Sequence, residues 1–417
     1  MVSDIDIGPG GTSNDTAIVQ AALDVGAAGT GCEVVGRPGV TYTVDTLTVY
    51  SKTMLRGNHS IFQQRTANTP VIDINNRDDV TIDGVYLKGN VAVATNFSAT
   101  NSGDKALKIS NNSSNITVKN STVTRFAFIG LWAEQSVNIN FCDNLIFENS
   151  FGTWFRGVSY GKVTGNRIRD TCMYSLTPSE AQLTSGVALE STDGHAFGVC
   201  KHIVIANNVI SGLPYSQAIF AHAGKWVTIA NNVMINVSIA VSLNAFNATD
   251  ELSYIAVTGN VGEGTLASSL PTESDVGVNV QGGGPTPLLQ KITVTGNTMH
   301  AFNRVSLNVG LGGYVFQATS GLIVSGNVAD SCGGNGFVFV DAEEGASVVG
   351  NSSMGTVAIG TTQNGYLWSS APRALFVGNM SAGINGANGV GNKVVGALTN
   401  MLRANNHTYD VTTPESP

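Results

Sequence analysis

Eight polar or aromatic side chains recur at one place in successive short apolar phrases: Trp132, Arg156, Glu190, His222, Asn244, Gln281, Asn308 and Asp341. Glu190 could give a proton to a leaving oxygen or take one from water, and His222 belongs to the residue type that titrates near neutrality. Arg156 could hold a substrate carboxylate or Glu190 itself. Trp132 and Trp154 could offer flat apolar faces to a ring-shaped ligand. Asp193, close behind Glu190, supplies a second carboxylate, so that one of the pair could donate a proton while the other activates water or attacks. The expected catalytic set is therefore Glu190, Asp193, His222 and Arg156. The expected substrate contacts are Trp132, Trp154, Tyr174, His195, Asn244, Gln281, Asn308 and Asp341. The competing reading is structural: a salt-bridged stripe of Arg156, Glu190 and His222, with Asp193 capping a Thr-Asp-Gly turn.

Such a row needs a scaffold that repeats, and the chain has one. The phrase apolar, any, apolar, any, then Gly, Ala or Asn, then Asn and an apolar residue, returns with its Asn at 166, 208, 232, 260, 297, 327, 351 and 379. Fainter copies lie at Val80–Asn90, Ile116–Val123 and Val137–Phe147. Period-two alternation over a few residues marks short strands with one buried face. Gly and Asn both tolerate the left-handed bend that follows. An Asn returning once per turn can stack into an internal hydrogen-bonded ladder. The pattern predicts an all-β, right-handed, single-stranded parallel β-helix, with rungs about 4.8 Å apart. Aligning its strands with Leu131, Phe155, Leu189, Ala221, Leu243, Val280, Leu307 and Val340 inward places the eight side chains in one vertical stripe.

The helical period survives only at Ser13–Gly29, where Ile18, Val19, Ala22 and Leu23 share a face before Gly26. This predicts a capping helix over the open end of the solenoid. The expected organisation is an N-terminal cap over 1–45, the β-helix over 46–383, and an irregular coil and tail over 384–417. The widest spacing between repeats, from Asn166 to Asn208, brackets Glu190 with insertions at Thr171–Gly186 and Ser191–His202. Insertions in solenoids gather on one face, commonly the binding face.

Composition narrows the partners. The formal net charge of −8, with 12% charged residues and no dense Lys/Arg run, disfavours nucleic acid. The opening MVSDIDIGPGG lacks the features of a signal peptide, and no apolar run approaches the ~18 residues of a membrane span. Cys32, Cys142, Cys172, Cys200 and Cys332 form no CxxC pair, which suggests small buried hydrophobes and no disulfide framework. Neither metal nor cofactor is expected.

The segment DIGPGGTSNDTAIVQAALDVG, followed by Pro38, Gly39, Tyr42, Val44, Leu55 and Gly57, resembles the opening of the pectate-lyase-like superfamily, particularly the tailspike depolymerases of bacteriophages. The resemblance implies a carbohydrate partner, a homotrimer and a virion-tail or extracellular location. It leaves the reaction open: the Asn-Thr-Asp, Asp-Asp and Gly-His-Gly set of polygalacturonases is not present in order, nor is the calcium-site Asp cluster of pectate lyases. The expected function is endo-glycosidic depolymerisation of a bacterial surface polysaccharide, capsule or O-antigen. The alternatives are a polysaccharide lyase acting by β-elimination on a uronate polymer, with Arg156 neutralising the uronate and His222 or Tyr174 abstracting the C5 proton, and a non-catalytic carbohydrate-binding β-helix.

Overall fold

The computed structural model describes residues 4–90, 103–171, 184–190, 198–245, 251–265, 275–282, 289–302, 312–340, 345–356, 363–369, 373–384, 389–395, 401–411 and 413–415. Its contacts divide the chain into two compact units, residues 1–209 and 210–417. Among the described residues no helix is long and apolar enough to cross a membrane.

In the first unit a coil is built of three strands. Ser114–Lys119, Thr122–Thr124 and Ile129–Glu134 make one coil, and Val137–Cys142, Leu145–Phe147 and Phe151–Arg156 make the next. Each strand pairs in parallel with its counterpart, as in Ile116↔Ile139, Val123↔Ile146 and Ala133↔Phe155. Alternate residues point inward, so Ile116, Val118, Ile139, Phe141 and Val163 are fully buried. Strand Ser185–Glu190 continues the third row and Cys200–Ala206 the first.

The N-terminal helix is Thr16–Asp24, burying Val19, Ala22 and Leu23. It closes through a 3-10 turn, Val25–Ala28, on Gly29 in the left-handed region, not on Gly26. Gly26 is needed for space instead, since a Cβ there would meet the Thr53 hydroxyl and the Cys32 sulfur. The helix also satisfies the strand edge beneath it. Asp15 N–H donates to Thr43 O (2.7 Å), the Asp15 carboxylate accepts from Thr43 N–H (2.9 Å), and the Gln20 side-chain amide exchanges two hydrogen bonds with the Thr48 backbone (2.9 and 3.1 Å). The exposed ladder groups of a terminal rung are thereby paired, as the capping expectation required.

In the second unit the same three rows repeat, for example Leu289–Thr295, Thr298–His300 and Gly312–Gln317, then Ile323–Ser325, Val328–Asp330 and Asn335–Val340. Pairing runs on through Leu402–Ala404, His407–Val411 and Thr413–Glu415, beyond residue 384, where an irregular coil was expected. Inside this unit Tyr314, Phe337 and Tyr366 stack at 4.7 and 4.9 Å, and Phe316, Phe339 and Trp368 at 5.2 and 4.1 Å.

The repeated Gly-Asn phrase divides its labour. The first residue takes the left-handed bend, at Gly165, Gly259, Gly296, Gly326, Gly350 and Gly378, or at Asn207 and Asn231 where glycine is absent. The second turns inward. In the first unit Asn144 donates to Asn166 and Asn166 to Asn208, each at 3.0 Å. In the second, Asn232, Asn260, Asn297, Asn327, Asn351 and Asn379 each donate to the next, the last of them to Asn406, at 2.9–3.2 Å.

A ladder Asn such as Asn297 serves five groups: its Oδ1 accepts from the backbone and side-chain N–H groups of Asn260, and its amide donates to Val257 O, Thr295 O and Asn327 Oδ1. Asn297→Ala would strand buried donors and a buried carbonyl, at about 1–3 kcal/mol per orphaned group. The expected loss is about 3–5 kcal/mol in chemical denaturation, against about 1 kcal/mol or less for Asn140→Ala on the outward face of Val137–Cys142; equal losses would show that the ladder contributes nothing special.

Candidate functional site

Four strands of the third row in the first unit, Lys105–Ser110, Ile129–Glu134, Phe151–Arg156 and Ser185–Glu190, stand in register. Ile109, Ala133, Phe155 and Leu189 share one inward position, and alternation then sends the next residue out. Glu134, Arg156 and Glu190 are therefore direct neighbours on successive rungs. Lys108, Trp132, Trp154 and Ala188 form the adjoining row.

This corrects the expected stripe by two residues at its first rung. Trp132 stands opposite Trp154, and the neighbour of Arg156 is Glu134. The alignment had taken Leu131 as the inward partner of Phe155, but the small Ala133 fills that place beside the large rings of Phe155 and Phe141. Leu131 and Ala133 are both wholly buried, so apolarity alone did not distinguish them.

Charges alternate along this surface. Asp73 of strand Ile72–Asn75 is opposite Lys108, and Lys108 Nζ lies 3.6 Å from Glu134 Oε1. Arg156 and then Glu190 follow, with Glu190 only 9% exposed. Burial raises the Asp73 carboxyl pKa, with Glu134 adding to the effect while Lys108 and Arg77 oppose it. Asp73 Oδ1 is buried without a hydrogen-bond partner. Asp73, Lys108 and Glu134 were absent from the sequence reading; the alternation Trp132-Ala133-Glu134 was their one available signal.

Beside the charges lies an aromatic cluster. Trp132 and Trp154 pack at 5.2 Å, with Phe128 and Phe151 against Trp154 at 5.8 and 4.7 Å. The two tryptophans, expected to show open faces, are 7% and 9% exposed because they cover one another. Their indole N–H groups are buried without an acceptor. The Lys105 ammonium lies 4.8 Å from the Trp132 ring centre and 5.2 Å from that of Phe128. Burial pushes its pKa down to about 8, with Lys108 contributing and Glu134 and Asp104 opposing.

In the second unit, His222 sits edge-on to Phe220 at 4.0 Å, and burial lowers its pKa to about 4. It is thus a neutral, weakly basic imidazole at neutral pH, contrary to the expectation that it titrates there. Asn244, Gln281 and Gln317 share a row, Gln281 Nε2 donating to Gln317 Oε1 at 3.0 Å. Val340, expected inward, continues this half-buried row, while Phe339 takes the core position against Phe316 and Trp368. Gln317 is absent from the expected stripe because the sequence pattern puts Leu307 and Asn308 on this rung, whereas its strand is Gly312–Gln317. Asp193, Tyr174, His195, Asn308 and Asp341 lie outside the described residues. Among those described, no three His, Cys, Asp or Glu side chains are grouped to hold a metal.

Comparison with known proteins agrees with this geometry. The family model for a right-handed β-helix region matches residues 83–261. No curated protein sequence matches the chain. Among solved structures, the N-terminal fragment of gene product 12 of bacteriophage Phi29 superposes with a TM-score of 0.64 at 11% identity, over 97% of this chain and 70% of that one. A tailspike protein of the E. coli bacteriophage HK620 gives 0.57 at 12%, over 97% and 75%. The surface adhesin PfbA of Streptococcus pneumoniae gives 0.53 at 13%, over 100% and 99%. At these identities the likeness is one of fold. The chain has the fold of a right-handed parallel β-helix, which the matched family model describes over residues 83–261 and which a phage tailspike shares.

Proposed function

We propose that this protein is an endo-acting glycoside hydrolase that depolymerises a bacterial surface polysaccharide, at the row Glu134, Arg156 and Glu190. The observation that carries the reading is that row itself: two carboxylates flanking a guanidinium on consecutive rungs, beside a nearly buried tryptophan pair. The backbones of Glu134 and Glu190 are two rungs apart, about 9.6 Å, which suits the wide carboxylate separation of an inverting mechanism. Glu190, the more buried, would donate its proton to the glycosidic oxygen as the C–O bond breaks. Glu134 would take a proton from the water that attacks the anomeric carbon from the other side. Arg156 between them would keep the carboxylates from repelling one another and bind an acidic substituent.

Asp193 is the other candidate partner for Glu190, and substitution separates the two. Glu190→Gln is expected to lower turnover at least 10³-fold with the fold intact. Glu134→Gln should do likewise while Asp193→Asn retains activity; the reverse pattern would move the base to Asp193, and full activity in Glu190→Gln would end the proposal. Reducing ends without ultraviolet absorbance are the expected product.

One observation favours β-elimination: a Lys105 amine with a pKa near 8 is a usable base, and Arg156 could neutralise a uronate. Absorbance from an unsaturated uronide would select that reaction. Polymer binding with neither product would leave a carbohydrate-binding β-helix.

Lys105 also makes a stability prediction. Its folded pKa lies below the ordinary 10.5, so between pH 8 and 10.5 the unfolded chain holds a proton that the folded one has released. Stability therefore rises with pH across that window and carries its full penalty below pH 8. Lys105→Met is expected to stabilise the protein at pH 7 by up to about 3 kcal/mol and to flatten the rise, as read by melting curves from pH 7 to 10.5.

The reading extends to a homotrimer on a virion tail or otherwise outside the cell. Its support is an uncharged outward row in the second unit, Thr228, Ala256, Thr293, Ile323, Ser347, Leu375 and Leu402. Ile323, Leu375 and Leu402 on it are 46%, 36% and 62% exposed, a surface suited to burial against other copies. Light scattering is expected to give three times the chain mass, and Leu375→Lys to reduce it to the monomer; a monomeric parent protein would remove this part.

A further inference from the structure

Strands Gly224–Ala230, Leu252–Thr258 and Leu289–Thr295 of the second unit pair with Lys225↔Ser253↔Gln290 and Val227↔Ile255↔Ile292 in register. The residue between these pairs on each strand, Trp226, Tyr254 and Lys291, is left-handed, with φ of 55, 57 and 56°. Strands Asp78–Asp83, Ser114–Lys119 and Val137–Cys142 of the first unit carry the same bulge at Asp79, Asn115 and Asn138. There the residue types suit the backbone, and their side chains hydrogen-bond in a surface ladder, Asn115 to Asp79 at 2.9 Å and Asn138 to Asn115 at 2.8 Å. Asn and Asp enter the left-handed region readily, whereas for a bulky residue it is a strained outlier. Strain is thus accepted to place large rings where the fold itself would take Asn, at Trp226 and Tyr254 as at Tyr160 and His202 of the first unit, whose φ are 59 and 54°.

Those rings do not serve the core. Trp226 and Tyr254 are 45% and 46% exposed. They lie 24° from parallel with centroids 5.9 Å apart. Since rungs repeat at about 4.8 Å, the rings are displaced sideways and each leaves part of a face open. Lys291 Nζ lies 4.4 Å from the Tyr254 ring centre and donates to its hydroxyl at 2.8 Å. Lys225, on the strand of Trp226, is paired with Glu251 at 2.7 Å. Apolar ring faces beside an exposed ammonium are the chemistry that takes up a sugar ring carrying a carboxylate.

We propose that Trp226, Tyr254 and Lys291 form a non-catalytic binding platform for an acidic polysaccharide, on strands of a different row from those bearing Glu134, Arg156 and Glu190. The proposal rests on the carbohydrate reading of the protein and adds to it a second point of hold, one that would raise the polymer's residence time through multivalency.

Trp226 reports on its own surroundings, because Trp132, Trp154 and Trp368 are 7%, 9% and 1% exposed. The full chain, carrying Glu190→Gln to prevent cleavage, would be titrated with polygalacturonate, alginate, hyaluronate and neutral dextran. Binding would be read by tryptophan emission and, independently, by affinity electrophoresis. At least one acidic polymer is expected to quench the exposed emission and dextran to leave it unchanged. In the same background, Trp226→Asn and Tyr254→Asn should each weaken that binding tenfold or more, and Lys291→Gln should weaken it and reduce its salt dependence. Asn suits the left-handed backbone, so these variants keep or gain thermal stability. Binding within twofold of the parent in Trp226→Asn would overturn the platform and leave the carbohydrate reading standing. Failure of the parent to bind any of the polymers would overturn both. A fall in mass by light scattering in Trp226→Asn would assign the rings to an interface between copies, and so also overturn the platform.

Discussion

The register of the coils hangs on the inward asparagine. Its Oδ1 receives both the backbone and the side-chain N–H of the Asn one coil earlier, as Asn327 does for Asn297 (3.0 and 2.9 Å), while its own amide reaches a carbonyl and the next Asn. A hydrophobic stack tolerates sliding, since one Val serves nearly as well as another. A buried amide does not, because a shift by one residue leaves its donors and acceptors unpaired in a medium that cannot solvate them. Shifting a strand by one residue would also turn every outward side chain inward. The outward rows of charge and aromatic rings therefore inherit their order from a ladder that never touches them.

That inheritance explains how a surface can concentrate chemistry without a pocket of special backbone. Along Ile129–Glu134, Phe151–Arg156 and Ser185–Glu190 nearly every residue is buried, whereas Ser114–Lys119 and Val137–Cys142 show the ordinary one-sided alternation. The third row is covered on both faces, inward by the core and outward by Phe128, Phe151, Trp132 and Trp154. In that half-enclosed setting a carboxyl or an amine no longer sees bulk water, which is why Asp73 rises and Lys105 falls.

The parts legible from sequence are those encoded by residues with few alternatives. Asn after a left-handed Gly or Asn, once per coil, announced the ladder, and the apolar face of Val19, Ala22 and Leu23 announced the cap. Register on the third row was less legible, because Leu131 and Ala133 satisfy the same apolar requirement, and only the bulk of Phe155 and Phe141 selects the smaller one. Phe339 and Val340 posed the same choice, settled by the aromatic stack of Phe316, Phe339 and Trp368. The protonation state of His222 follows from burial against Phe220, a property of neighbours that spacing does not convey.

The fold alone is silent on catalysis, since tailspike and adhesin structures overlay on this chain with similar scores. The cost of the charged row is more informative. Surface ion pairs return about 0–1 kcal/mol, while enclosing a charge costs several. A coil kept only for stability would favour uncharged residues at such places, as the third row of the second unit does at Asn244, Gln281, Gln317 and Val340. The first unit instead sets Glu190, at 9% exposure, on the rung after Arg156, with the two unpartnered indole N–H groups of Trp132 and Trp154 on the adjoining row. Polar atoms left unsatisfied together in one enclosed patch are a net loss to folding. Such a loss is understandable where the missing partner is a ligand rich in hydroxyls, which is the physical reason for reading this row as a saccharide site.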